Sequence, residues 1–202
     1  MEILQVVIAG VFSLSVGLGS VFLKHILDNR KKKKEEIDHE NLTEDEIINM
    51  TEIQKFIEDF RYKMHLDRIG IFQFHNGSKF FQGIPMKKYS QTFEATSPGI
   101  ASTKSLYQNI LVTEHPGFMK ALCEKDIISF SCKDENIEDL RECFEEQGIL
   151  QTISAPIRSL SGQLIGFIDI QCIKHEIDLT SELEDEIYEL VASLSGYLSR
   201  KK

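Results

Sequence analysis

Hydrophobic and polar positions divide the chain into one long apolar run followed by shorter segments of alternating character. From Ile3 to Leu23 no residue is charged. A helix over this segment spans roughly 32 Å, against about 30 Å of bilayer hydrocarbon. The run therefore predicts a transmembrane helix in residues 1–24. A cleaved signal peptide is disfavoured because the positive charge follows the apolar run instead of preceding it.

Basic residues cluster directly after this apolar run. They are Lys24, Arg30, Lys31, Lys32, Lys33 and Lys34. Positive charge flanks the cytoplasmic end of membrane helices, so the N-terminus is expected outside and the rest of the chain in the cytoplasm. Residues 25–42 are predicted to be a charged juxtamembrane linker, with the bilayer as a partner of this segment.

Two amphipathic helices are predicted at the ends of the remaining segment, residues 43–202. Thr43 and Glu46 have the spacing of a capping box, and the apolar positions that follow favour a helix ending near Leu66. A second helix is predicted from Thr180, with acidic residues in its first turn. Its apolar stripe consists of Leu183, Ile187, Leu190, Val191, Leu194 and Leu198.

Five strands are predicted between these helices, because β-branched and aromatic runs alternate with turn residues. The strands are Arg68 to His75, Tyr89 to Thr96, Ile127 to Cys132, Thr152 to Ser159 and Gln163 to Ile173. A turn is predicted at Asn76-Gly77, followed by a structured loop over 77–88. Residues 101–125 are predicted to form two helical pieces broken at His115-Pro116-Gly117. A further helix is predicted over 137–146, with Gly148 as its C-cap.

Charge and cysteine usage narrow the range of functions. The net charge is −9, yet residues 1–34 carry six basic and two acidic side chains, so the acidity lies in the remainder. An acidic domain argues against nucleic acid as a partner, because phosphate binding needs clustered Lys and Arg. The four cysteines form no CxxC pair and are expected to be reduced thiols.

The order of elements and the last two strands resemble the GAF family. The residues that carry the resemblance are Ser154-Ala155-Pro156-Ile157, the turn glycine Gly162, Leu164-Ile165-Gly166-Phe167-Ile168 and the acidic helix start Leu179-Thr180-Ser181-Glu182. The resemblance implies an α+β fold with an antiparallel GAF/PAS-like sheet of five to six strands flanked by helices. The transmembrane helix predicted from the uncharged run precedes this fold. Pro156 within a strand should need an edge or a bulge, and Gly166 should allow a helix to approach closely.

A second stretch is similar to small GAF-like proteins, some of them from phages. It consists of Phe74-His75-Asn76-Gly77, then Lys88-Tyr89-Ser90, then Phe93-Glu94. GAF domains place a ligand on the sheet face opposite the terminal helices, under a helical insert. The resemblance therefore implies a candidate small-molecule site at Phe74, His75, Asn76, Tyr89, Phe93, Glu94, Tyr107 and His115. Alternatively, Phe74 and Phe93 are core residues and His75 caps a turn.

The sequence lacks the residues that several known GAF activities require. The cyclic-nucleotide signature Asn-Lys-x-Asp is absent, and no cysteine stands beside His115 where bilin attachment would need one. Cys123, Cys132 and Cys143 lie in the region where GAF-fold methionine sulfoxide reductases carry cysteines, but their spacing differs and acidic residues surround them. No zinc-ligand spacing and no P-loop occur.

Three hypotheses follow. The first is a membrane-anchored, non-catalytic sensory module, which the family resemblance implies to be a homodimer paired through its terminal helices, with a small-molecule ligand of unknown identity. The second is a structural or assembly protein of membrane or phage whose GAF fold binds no ligand. The third is a cysteine-based reductase.

Overall fold

The structure is a computed structural model that describes residues 43–79, 85–134 and 138–199. The helices are α1 (Glu44–Lys63), α2 (Pro116–Glu124), α3 (Arg141–Gln147) and α4 (Ser181–Leu198), with a short 3-10 helix at Val112–Glu114. The strands are β1 (Arg68–Lys79), β2 (Pro85–Thr96), β3 (Ile110–Leu111), β4 (Ile128–Ser131), β5 (Gln151–Arg158) and β6 (Leu164–Cys172).

All six strands form one antiparallel sheet in the order β3-β2-β1-β6-β5-β4. Successive side chains along a strand point to opposite faces, so each central strand contributes to two different layers. Ile168 and Ile170 point to one face, which we call the helix face. Phe167 and Asp169 point to the other, which we call the cavity face. The predicted α+β class with an antiparallel sheet is confirmed.

The helix face is covered by α1 and α4, as the amphipathic patterns predict. Ile57 on α1 and Ile187 and Leu194 on α4 are fully buried in one core with the isoleucines of β1, β5 and β6. Both predicted helix starts are also confirmed. Thr43 Oγ1 accepts from the Glu46 N–H at 3.3 Å, and Glu46 Oε2 accepts in return from the Thr43 N–H at 2.8 Å. Thr180 Oγ1 accepts from the Leu183 N–H at 3.3 Å.

The predicted turn at Asn76-Gly77 and the loop over 77–88 are wrong for most of their length. β1 continues to Lys79 and β2 begins at Pro85, with Asn76 paired to Lys87 and an irregular register beyond that pair. Lys87 Nζ donates to Asn76 Oδ1 at 2.6 Å across the two strands. Cross-strand pairing therefore overrides the local preference of Asn-Gly for a turn.

The first of the two helical pieces predicted over 101–125 is also wrong. The Tyr107 carbonyl accepts from the Gln91 N–H at 2.8 Å, and Gln108 Nε2 donates to the Gln91 carbonyl at 2.8 Å. The segment before β3 therefore forms only a tight turn, with the Leu106 N–H donating to the Thr103 carbonyl at 2.9 Å, and is bonded to the edge of β2. The second piece is confirmed as α2, which begins at Pro116, a residue that needs no N–H partner at a helix start.

The fourth predicted helix is shorter than the pattern suggested. α3 begins at Arg141 instead of near 137, and Gly148 ends it in a left-handed conformation with φ of 63°. The expected glycine C-cap is confirmed.

Pro156 and Gly166 occupy positions that explain their presence in strands. Ser154 is the last residue of β5 that pairs with β4, so Pro156 lies on a part of β5 that has a free edge. A register irregularity between Ile157 and Arg158 lies close by. Both features are typical of a proline within a strand. The expectation that Gly166 admits a helix is wrong. A Cβ there would lie 2.2 Å from the backbone oxygen of Phe72 on β1, so the close neighbour is a strand.

The predicted membrane segment at residues 1–24, its linker at 25–42 and the basic cluster lie outside the described residues. Within the described residues, no helix combines the length and apolar character needed to cross a bilayer.

Gly166→Ala should destabilise the fold by about 1–3 kcal/mol, because the new methyl group forces β1 and β6 apart. Gly196→Ala is the matched control, since nothing outside its own helix comes within 4 Å of the added Cβ among the described residues. It should be neutral or stabilising by up to about 1 kcal/mol, as for glycine in a helix interior. Urea unfolding of both variants tests this, and equal midpoints would contradict it.

Candidate functional site

A small cavity lies on the cavity face of the sheet, beneath α2, α3 and the segment around Tyr107. Its volume is about 50 Å³. Its walls combine aromatic, aliphatic and polar side chains from the sheet and from the covering segments. The lining residues are Phe72, Tyr89, Tyr107, His115, Phe118, Leu140, Cys143, Phe144, Ile149, Thr152, Phe167, Asp169 and Gln171.

Aromatic rings form the apolar part of this wall. Phe72 and Phe167 stack in parallel with centroids 4.7 Å apart. Phe118 and Tyr89 meet Phe167 edge-on at 5.3 and 5.6 Å, and Tyr107 meets Phe72 edge-on at 5.7 Å. Aromatic pairs at these distances are favourable beyond their burial, so the rings hold one another in place.

A buried carboxylate, Asp169, forms the polar part. Its side chain accepts hydrogen bonds from the hydroxyls of Thr152 and Ser154, the latter at 2.6 Å, and from Gln171 Nε2 at 2.7 Å. Asp169 is 8% exposed. Burial raises the pKa of Asp169 above its usual value, and the three donors only partly oppose that effect.

Arg68 extends this polar cluster along the sheet. Its guanidinium donates to Gln171 Oε1 at 2.6 Å and to the Ala101 carbonyl at 2.8 Å. Its Nε lies 3.8 Å from Glu94 Oε1. Arg68 is 3% exposed, and burial lowers its pKa while the charge of Glu94 raises it. The Arg68 guanidinium thus binds the Gln171 side chain through a hydrogen bond and lies beside the carboxylate of Glu94.

Glu94 completes the cluster at the covering segment. Its carboxylate accepts from the Thr103 N–H at 2.8 Å, from Thr103 Oγ1 at 2.9 Å and from the Ser102 hydroxyl. Burial alone would raise the pKa of Glu94, but these hydrogen bonds and Arg68 hold it below the usual value. Glu94 is therefore the ionised partner of Arg68.

Phenol and thiol groups at the cavity stay protonated. Burial raises the pKa of Tyr89, Tyr107 and Cys143. On the helix face, burial raises the pKa of Cys172 to about 12. All four cysteines are free thiols, and Cys123 is exposed. A thiol with a raised pKa is a poor nucleophile.

His115 is held by the segment before α3. Its Nδ1 donates to the Asp139 carbonyl at 2.5 Å, and the Asp139 carboxylate accepts from the Phe118 N–H at 3.1 Å. Since a carbonyl oxygen only accepts, Nδ1 carries the hydrogen in this bond. Among the described residues, no group of three or more His, Cys, Asp or Glu side chains could hold a metal ion.

A second cavity of about 430 Å³ lies at the far end of β1. Phe74, His75 and Asn76 line it together with Met119 and Cys123. His75 Nε2 lies 2.9 Å from the Ser90 hydroxyl, and that hydroxyl accepts from the Asn109 N–H at 2.8 Å. His75 is therefore anchored to β2 and is part of a strand instead of a turn.

The predicted site residues separate into three groups. Tyr89, Tyr107 and His115 line the first cavity, and Phe74, His75 and Asn76 line the second. Phe93 and Glu94 line neither. Phe93 packs against the helix-face core, with Lys104 Nζ 6.0 Å from its ring centroid, and Glu94 pairs with Arg68.

Sequence reasoning missed the polar residues beneath the first cavity. A signal for them was present in the chain. Thr152 and Ser154, like Asp169 and Gln171, are spaced two apart within otherwise apolar strands, which places each pair on one face of the sheet. Their buried hydrogen-bonding partners come from distant segments and are visible only in the structure.

Comparison with solved structures identifies the architecture as the GAF fold. The GAF domain of Thermosynechococcus elongatus PixJ in its blue-light absorbing form matches with a TM-score of 0.61 and 15% identity, over 79% of this chain and 89% of that one. A phycoerythrobilin-bound GAF domain from a cyanobacterial phytochrome matches with a TM-score of 0.57 and 15% identity, over 75% and 85%. A GAF domain/HD domain protein from Geobacter sulfurreducens matches with a TM-score of 0.52 and 12% identity, over 74% and 94%.

No protein-family profile matches the sequence, and no curated protein matches it. Identities of 15% or less establish the fold alone. The predicted GAF-like fold is therefore confirmed on structural grounds.

Asp169→Asn should change how stability depends on pH. Because folding raises the pKa of Asp169, the folded state keeps a proton that the unfolded state releases from roughly pH 4 upward. The stability contributed by this group is therefore present at low pH and lost as pH rises through the folded pKa. As the pH rises from 4 to 8, the free energy of unfolding measured in urea should fall more for the wild type than for Asp169→Asn. Parallel curves of this free energy against pH would contradict the raised pKa.

Proposed function

We propose that this chain is a membrane-anchored, non-catalytic sensory module that binds a small molecule in the cavity above Asp169. The observation that carries the proposal is a buried carboxylate with three hydrogen-bond donors facing an aromatic-lined cavity. Small-molecule sites combine apolar walls with a few fixed polar groups in this way. One of the solved GAF domains described above is phycoerythrobilin-bound and another is in a blue-light absorbing form, which is consistent with a ligand on this fold.

The sheet offers a route from the cavity to the terminal helices. On β5, Thr152 and Ser154 bind Asp169 on the cavity face, while Ile153 is fully buried against the helix-face core with α4. The Ser195 hydroxyl of α4 also donates to the Arg158 carbonyl at the end of β5. A ligand that shifts β5 would therefore also shift the surface on which α4 packs.

A homodimer formed through the terminal helices fits their outer surfaces. α1 and α4 pack together, with Lys63 Nζ 2.6 Å from Glu186 Oε2. Large apolar side chains nevertheless remain exposed on both helices: Ile48, Met50, Tyr62 at 75% and Tyr188 at 47%. A second copy would cover these groups, and exposed apolar clusters are typical of protein interfaces.

Membrane anchorage is part of the proposal on sequence grounds. The uncharged run from Ile3 to Leu23 and the basic residues after it support a single span with the N-terminus outside and the GAF domain in the cytoplasm. α1 follows this segment in the chain, so a change in the domain could reach the anchor or a partner along it.

Cysteine chemistry is disfavoured as the activity. Burial raises the pKa of Cys143, the only cysteine that lines the first cavity among the described residues. Reductases need a thiolate, which requires nearby positive charge. The raised pKa supports the non-catalytic proposal over the reductase hypothesis.

The second candidate is an assembly protein with a ligand-free GAF fold. The small volume of the first cavity favours it, because drug-sized ligands need roughly 300–1,000 Å³. The two candidates differ in whether any small molecule stabilises the protein.

Tyr62→Glu should weaken the dimer, raising its dissociation constant at least about tenfold, because a charge replaces a buried aromatic ring at the interface. Leu160→Glu is the matched control, since Leu160 is also a large exposed apolar residue, at 87%, but lies in the β5–β6 turn. Chemical cross-linking of the full-length chain in membranes measures the effect. Equal cross-linking of both variants would contradict the interface, and recovery of the wild type in the soluble fraction would contradict the anchor.

A ligand of the first cavity should raise the melting temperature of the full-length chain in nanodiscs. The compounds to screen are small amines, carboxylates, alcohols and nucleotides. Cys143→Leu fills the cavity and should abolish the response. Cys123→Leu is the matched control in the second cavity and should retain it. Loss of the response only in Cys123→Leu would move the site to the second cavity, and no response to any compound would favour the assembly protein.

A further inference from the structure

The chemistry of the first cavity restricts what it can bind. Its volume of about 50 Å³ holds only a few water-sized groups. A ligand that fits without displacing the aromatic rings therefore has only a few non-hydrogen atoms. Charge and ring geometry at the wall narrow its class further.

Asp169 contributes the one carboxylate in the described wall of this cavity. Arg68 does not neutralise it by direct contact, because the guanidinium is used by Gln171, the Ala101 carbonyl and Glu94. Among the described residues, no Lys or Arg nitrogen lies within the 4.0 Å of an ion pair with Asp169. Asp169 therefore has no cation in direct contact, and Arg68 acts on it only as a nearby charge.

Aromatic rings surround the space beside this carboxylate. Phe72, Tyr89, Tyr107, Phe118 and Phe167 all line it. Ring faces attract cations, by about 2 kcal/mol or more when the cation is desolvated, and they repel anions. A carboxylate within an aromatic enclosure is complementary to an ammonium group.

We propose that the ligand of this cavity is a small primary alkylammonium ion, whose N–H groups donate to the Asp169 carboxylate and whose alkyl group packs against the aromatic rings. The inference rests on the proposed function, because it names the ligand class of the same site. A neutral or anionic ligand of equal size would bring no positive charge into contact with the carboxylate.

Binding should compete with a proton at Asp169. Burial raises the pKa of Asp169, and an ammonium ion would replace the proton that burial favours. The titratable groups near Asp169 are Arg68 on β1, Tyr89 on β2, Cys172 on β6, Tyr107 and His115 from the covering segment and Cys143 on α3. His115 lines the same cavity, so a variant that removes its imidazole separates the effect of that ring from the effect of Asp169.

The test uses the full-length chain in nanodiscs and isothermal titration with ethylammonium chloride at constant ionic strength. Ethanol is the neutral analogue and acetate the anionic one. Ethylammonium should bind more tightly than either by at least about tenfold, the effect of a hydrogen bond to a charged group. Its affinity should rise with pH from 5 to 8, and protons should be released, as detected in buffers of different ionisation enthalpy.

Three variants test whether Asp169 is the residue that binds ethylammonium. Asp169→Asn should lose at least about tenfold in ethylammonium affinity, whereas Asp178→Asn, which removes an exposed charge of the same type, should bind as the wild type does. His115→Gln should keep the pH dependence, which then belongs to Asp169. Since Asp169→Asn could fail to fold, the proton release of the wild type is a test that needs no variant.

The outcomes separate this inference from the proposed function. Equal binding of ethanol or acetate, or ethylammonium binding without proton release, would overturn the cation assignment. If a different small molecule stabilises the chain and Cys143→Leu abolishes that response, the inference fails and the sensory module stands. If no compound stabilises it, both fail.

Discussion

A carboxylate buried at the centre of a sheet constrains the residues around it. Leaving a buried charge without hydrogen-bond partners costs several kcal/mol, so Asp169 requires the donors that surround it. Thr152, Ser154 and Gln171 supply them from β5 and β6. Through Gln171 the same requirement extends to Arg68 and hence to Glu94 and the covering segment. The polar positions of the cavity face therefore form one connected set.

The opposite face of the same strands has the opposite character. Between Asp169 and its polar neighbour Gln171, Ile170 points into the core beneath α1 and α4 and is fully buried. Alternation along a strand thus makes the sheet the shared wall of an apolar core and a polar site. A change in the hydrogen bonds at Asp169 acts on the backbone that also carries the helix-face isoleucines. This arrangement is the physical basis for proposing that the terminal helices respond to the cavity.

Local patterns predicted those elements that depend on neighbours in sequence. The capping box at Thr43, the helix start at Thr180, the left-handed Gly148 and the β5–β6 hairpin were all predictable because their partners lie within a few residues. The failures lie where the partner is distant. Asn76-Gly77 favours a turn in isolation, but pairing with β2 keeps β1 extended. Residues near Tyr107 have helical character, but their backbone groups bond to the edge of β2.

The candidate site shows the same division. The aromatic and histidine positions Tyr89, Tyr107 and His115 could be predicted from the family resemblance, and they do line one cavity. Glu94 was expected beside them but is held by Arg68 and Thr103. Asp169 was not predicted, because its spacing from Gln171 places both residues on one sheet face but does not indicate whether that face meets solvent or a cavity. Its role depends on Thr152 and Arg68, which are distant in the chain.

The sequence by itself determined the amphipathic faces of the terminal helices, the strand-turn-strand at Gly162 and the order of elements that resembles the GAF family. These depend on periodicity and on backbone preferences that act over a few residues. Only the tertiary structure decided which strands pair, where β1 ends, and that Gly166 lies against the backbone of Phe72. It also decided that the carboxylate of Asp169 is buried beside a cavity, because burial and hydrogen bonding are set by segments that the chain brings together only when it folds.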